Sequence, residues 1–182
     1  MIPAGYMAKT ILEKPDWLKA NSVVDIYSVS DCFSKPFADY INYWKHNGFW
    51  FFDSPEIIKA LSEENSISLE GTRLFYYEVY ELEYHDDEPS WRDFKPEQSF
   101  DTGVIVPNKK VLEGFDVATF SVGTSPECSP LSCNSLATEI KTNSHCLIET
   151  LEEAKQSLVQ GNFLNSEPGP FRIFAVYSTD WP

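Results

Sequence analysis

Residues 72 to 85, Thr-Arg-Leu-Phe-Tyr-Tyr-Glu-Val-Tyr-Glu-Leu-Glu-Tyr-His, limit most what this chain can fold into. In an extended strand alternate side chains share a face, so Leu74, Tyr76, Tyr80, Leu82 and Tyr84 fall together, with Glu78 interrupting them. The opposite face carries Phe75, Tyr77 and Val79, then Glu81 and Glu83. Such a strand begins buried on both sides and emerges into water at its end. A second run, residues 171 to 178, is apolar on both faces and belongs in the centre of a sheet.

The remaining strand candidates are residues 6 to 13, 22 to 29, 49 to 52 and 113 to 122, each β-branched or aromatic in makeup. Pro15 to Leu18 reads as one helical turn. Three helices are predicted. The first runs from Pro36 to about Asn47, with Phe37, Tyr40, Ile41 and Trp44 on one stripe and Gly48 ending it. The second opens at Ser54-Pro55, carries Ile57, Ile58 and Leu61 inward, and stops near Asn65. The third begins at the capping box Thr150-Leu151-Glu152-Glu153, buries Leu151, Ala154 and Leu158, and stops at Gly161. Residues 86 to 110 read as loop or edge structure, and residues 123 to 134 as a loop.

The spacing is too irregular for a doubly wound βαβ series. We expect one α+β domain over residues 1 to 182, with a mixed or mostly antiparallel sheet of about six to eight strands and about three helices on one side. There is no internal repeat and no run of ~20 apolar residues long enough to span a bilayer. The first residues lack the charged start and apolar run of a secretion signal, so the expected location is cytoplasmic, where the four cysteines stay reduced.

The charge narrows the partners. The chain carries 28 acids against 14 bases, a net charge of −14. A field of that sign repels nucleic acid and anionic lipid and attracts a basic protein. The acids are unevenly placed: residues 1 to 50 are neutral, residues 51 to 100 carry −9 and residues 101 to 182 carry −5. The densest stretch holds Glu78, Glu81, Glu83, Asp86, Asp87 and Glu88 with no Lys or Arg between them. Tyr76, Tyr77, Tyr80 and Tyr84 interleave with these acids, and Trp91 and Phe94 follow. Tyr and Trp anchor interfaces because one end is apolar and the other hydrogen-bonds. An exposed strand end with a solvated acidic turn accounts for the same pattern without a partner.

Two chemical constellations compete with binding. Cys128, Cys133, His145 and Cys146 have the residue types of a zinc site but poor spacing, with Pro130 between the first two cysteines. Adjacent His145 and Cys146 point to opposite faces on a strand. Cys128 or Cys133 would act as a nucleophile only with an imidazole beside it, and His145 is nearest in sequence, with Glu127 or Asn134 to orient it. Glu78, on an apolar face, is a candidate carboxylate of raised pKa, or else one paired with a Tyr or with Arg73 or Arg172. His46 suits a helix C-terminus and His85 suits solvent.

The sequence holds no phosphate-cradling glycine loop, no H-E-x-x-H, no G-x-S-x-G and no calcium loop, so no cofactor is expected. These observations point to a non-enzymatic binding protein, a monomer or homodimer of inhibitor or immunity type. It would engage a basic partner through Tyr76, Tyr80, Glu81, Glu83, Tyr84, Asp86, Asp87 and Trp91. The alternative is a small Cys/His enzyme or metal-site protein using residues 123 to 146.

Overall fold

The computed structural model describes residues 1–30, 37, 47–94, 103–119 and 128–182. Its strands are β1 (Ile2–Thr10), β2 (Leu12–Glu13), β3 (Asp25–Ile26), β4 (Thr72–Val79), β5 (Leu82–His85), β6 (Ser90–Asp93), β7 (Val111–Thr119) and β8 (Phe171–Thr179). Its helices are α1 (Pro55–Asn65), the single turn α2 (Pro130–Cys133) and α3 (Leu151–Val159). Six strands form one sheet in which every pairing is antiparallel, and β2 and β3 pair separately. This is the expected α+β architecture.

β8 is the axis of the sheet. One edge pairs with β4 from Leu74↔Thr179 to Val79↔Phe174, then receives the Tyr80 amide at Ile173 O (2.8 Å), then meets β5 at Tyr84↔Phe171. The predicted strand from 72 to 85 is therefore real but broken at Tyr80 and Glu81. The other edge of β8 pairs with β7 along nearly its whole length. β1 lies outside β4, and β6 outside β5.

Alternation along β8 sends side chains into two cores. Phe171, Ile173 and Ala175 join one, and Phe174 and Val176 join the other, all buried. Over the second face Phe51 stacks on Tyr77 at 4.6 Å and meets Phe174 edge-on at 5.8 Å. Over the first face lie Ala154 and Leu158 of α3, with Phe163 against Phe171 at 5.7 Å. Burying each such large side chain contributes roughly 1.5–3 kcal/mol. Truncating Phe174 to Ala would cost about 3–5 kcal/mol.

The local signals for two helices held. Pro55 occupies the first turn of α1, and Ile58 is fully buried while Ile57 and Leu61 pack partly buried. In α3 the Thr150 hydroxyl accepts the Glu153 amide at 3.2 Å and Glu153 accepts the Thr150 amide at 3.1 Å, closing the capping box. The predicted helix over 36 to 47 lies outside the described residues except for Phe37 and Asn47.

Several strand expectations are corrected. Residues 49 to 52 do not extend, because the Phe49 and Phe51 amides both turn to the Asn47 side-chain oxygen (3.1 and 3.3 Å). Only Phe52 bridges, to Tyr6. That approach needs Gly5, whose φ is +127° and whose added Cβ would stand 2.6 Å from Phe52 O. Residues 22 to 29 shrink to β3, because the amides of Val24 and Asp25 bond to Ser144 O and that of Tyr27 to His145 O. β6 lies at the sheet edge within residues 86 to 110, which were expected to be loop or edge structure. Among the described residues no helix is long and apolar enough to cross a membrane.

Candidate interaction surface

The acidic, tyrosine-rich segment folds into the β5–β6 hairpin, in register Leu82↔Asp93, Glu83↔Arg92, Tyr84↔Trp91 and His85↔Ser90. Its turn is held by Asp86, which accepts the Gly169 amide at 3.3 Å, and by Asp87, which accepts the Glu88 amide at 2.8 Å.

The eight residues predicted for a partner divide three ways. Tyr76 is fully buried and Tyr84 is 6% exposed, so both belong to the core. Glu83 is spent inside the protein: Oε2 takes Arg172 Nε at 3.0 Å and Oε1 lies 2.9 Å from His85 Nε2. His85 thus sits between carboxylates and is half-buried rather than free in solvent. Glu81 and Asp87 are exposed, and Asp86 is half-buried. Tyr80 and Trp91 are half-buried and meet edge-on at 5.6 Å, with the Lys155 ammonium 5.4 Å from the Tyr80 ring centroid. Glu88 and Asp93 complete the exposed acids of the hairpin, and Arg92 is bound to Glu88 at 3.0 Å. Asp93 was missed because its segment carries too little periodicity to reveal a strand.

Glu78 has the tyrosine partners that were one expectation, with Lys110 in place of Arg73 or Arg172. It binds the Lys110 ammonium and accepts the Tyr177 hydroxyl at 3.0 Å and the Tyr76 hydroxyl at 3.3 Å. Tyr6, Tyr76 and Tyr177 stand in register across β1, β4 and β8, and Lys110 lies over the last two rings at 4.9 and 4.1 Å. Burial would raise the Glu78 pKa, but Lys110 and the two hydroxyls bring it below the ordinary glutamate value. A proton-donating role therefore does not fit. Arg172 belongs to Glu83, and Arg73 donates to the Tyr27 hydroxyl.

The cysteine segment does not assemble into a centre. His145 Nδ1 lies 2.5 Å from Asp25, its Nε2 lies 3.8 Å from Glu113, and its ring stacks on Tyr27 at 4.0 Å. Cys128 Sγ bonds to Asn134 (3.4 Å), and Cys133 Sγ lies 3.9 Å from the Ser132 hydroxyl. Burial, with Asp116 and Cys133 nearby, pushes the Cys146 thiol far up, away from the reactive thiolate. Among the described residues no group of three or more His, Cys, Asp or Glu could hold a metal ion. Glu127 lies outside the described residues.

Asp116 is the buried acid that pattern reading overlooked. It is fully buried, accepts from the Val29 amide (2.7 Å) and the Ser129 hydroxyl (2.6 Å), and feels the charge of Lys9. Lys9 is itself buried and donates to Ser28 O (2.7 Å) and Ser30 O (2.9 Å). Burial dominates over these partners and pushes Asp116 up to about 6. Its contacts tie two loops to β7, which is a structural role.

Compared with known protein families, curated proteins and solved structures, the chain matches none.

Proposed function

We propose that the chain is a non-enzymatic binding protein, of inhibitor or immunity type, that holds a basic protein through the β5–β6 hairpin. One observation carries this reading. The hairpin and the residue before it expose Glu81, Asp87, Glu88 and Asp93 on the segment that carries the half-buried Tyr80–Trp91 pair, and Arg92 is already bound to Glu88. Exposed carboxylates steer a basic partner and raise its association rate, while half-buried aromatics supply contact area at low entropic cost.

The test compares the wild-type chain with the triple variant Glu81→Lys, Asp87→Lys, Glu88→Lys. Proteins captured from the native host are measured for binding at low and at high salt. The reading expects a basic partner whose affinity drops roughly tenfold or more on charge reversal and weakens with salt. A partner bound equally well by both forms at both salts overturns it.

A further inference from the structure

We propose that the cleft between the hairpin turn and the end of α3 receives one large apolar side chain of that same basic partner, flanked there by Lys or Arg. This inference rests on the proposed function and names where its partner is anchored.

The cleft encloses 220 Å³. Its floor is the buried apolar surface of Tyr84, Phe171, Phe163 and Leu158. Its outer wall is Val159, 61% exposed, and Leu164, 67% exposed. Gly161 (φ +75°) ends the helix and turns the chain back, so that an added Cβ there would lie 2.9 Å from Leu164 Cδ1. Two exposed aliphatic side chains thus line the cleft beside an apolar floor, and covering them is favourable.

Size and charge choose the occupant. The volume falls below the ~300–1,000 Å³ of pockets that hold drug-sized ligands, and suits a single Leu- or Phe-sized anchor. Such an anchor in a central pocket carries much of an interface's energy. Asp86 lines the cleft, Asp87 and Glu88 follow it in the turn, and among the described residues no basic one lines it. That rim favours Lys or Arg beside the anchor and disfavours a second copy of this chain, which would bring like charges together.

The experiment uses the full chain with labelled methyl groups and two synthetic peptides. Both are rich in Lys and Arg, one with a central Leu and the other with Ala in its place. At low salt the Leu peptide is expected to shift the Val159 and Leu164 methyl signals and the hairpin signals together. It should bind several-fold more tightly than the Ala peptide and lose roughly tenfold in affinity on Leu164→Ser, an exposed, charge-neutral substitution that leaves the fold intact. If both peptides shift only the hairpin and bind equally, the cleft is not an anchor site although the acidic surface still binds. If neither shifts the hairpin, the proposed function falls with it. Methyl shifts that grow with protein concentration alone identify self-association and overturn the inference.

Discussion

Asp116 Oδ2 accepts the backbone N–H of Val29 at 2.7 Å, joining positions 87 apart in sequence inside a fully buried site. Because burial holds this carboxyl at about 6, above its ordinary 3.8, the folded state keeps its proton more readily than the unfolded chain. The stability that proton confers is complete below about pH 4 and is lost as pH rises through about 6. The full span is on the order of 3 kcal/mol. Asp116→Asn keeps an acceptor for Val29 and cannot titrate. Urea unfolding from pH 4 to 7 should show the wild type losing stability relative to the variant across that window. Parallel profiles would refute the assignment.

Tyr177 offers an alkaline counterpart. Burial first, then the Glu78 hydrogen bond and charge, push its phenol up to about 12. Glu78→Gln removes the charge and should bring Tyr177 down toward 10, leaving the share due to burial. Tyr6 is also raised to about 12, by burial and by Glu56, and serves as the unmoved control. Phenolate absorbance in Tyr→Phe backgrounds distinguishes the two. Glu78→Ala should in addition cost roughly 2 kcal/mol, since Lys110 and two hydroxyls lose a charged acceptor.

Local signals were legible in the sequence, and long-range ones were not. The capping box at Thr150, the proline opening α1 and the two-faced apolar runs of β4 and β8 depend on near neighbours, and all were readable. The break at Tyr80 and Glu81 depends on how β8 pairs, so the faces assigned beyond it could not be. Glu78 is held by Lys110, 32 positions away, while the arginines that looked available are taken by Tyr27 and Glu83. Tyr76 and Tyr84 resembled interface tyrosines because composition does not say which face is covered. Asp116 did leave a trace: an acid flanked by Phe115 and Val117 within a predicted strand.

Thiol reactivity tests the core placement of Cys146. A variant that keeps only Cys146 should react slowly with a thiol reagent at pH 8 and rapidly once unfolded, because burial raises the thiol and blocks access. Variants that keep only Cys128 or only Cys133, both half-buried, should react faster in the folded state. Prompt labelling of native Cys146 would contradict the structure there.

The last prediction separates anchoring from recognition in the hairpin. Glu83 and Arg172 side chains are each 14% exposed and bonded at 3.0 Å, with the Arg172 guanidinium 3.6 Å from the Phe94 ring centroid. Glu83→Ala leaves a buried cation without this carboxylate and should cost about 3 kcal/mol, whereas Glu81→Lys, on the exposed side, should change stability by less than about 0.5 kcal/mol. Removing both partners together should cost less than the sum of the single changes, since the two side chains are bonded to each other. Melting curves of the wild type, the two single variants, their double and Glu81→Lys, measured beside their partner affinities, give the decisive pattern: Glu81→Lys weakens binding at constant stability, and Glu83→Ala weakens stability first. If Glu83→Ala melts like the wild type yet loses the partner, Glu83 is a contact residue and the anchoring role assigned to it is wrong.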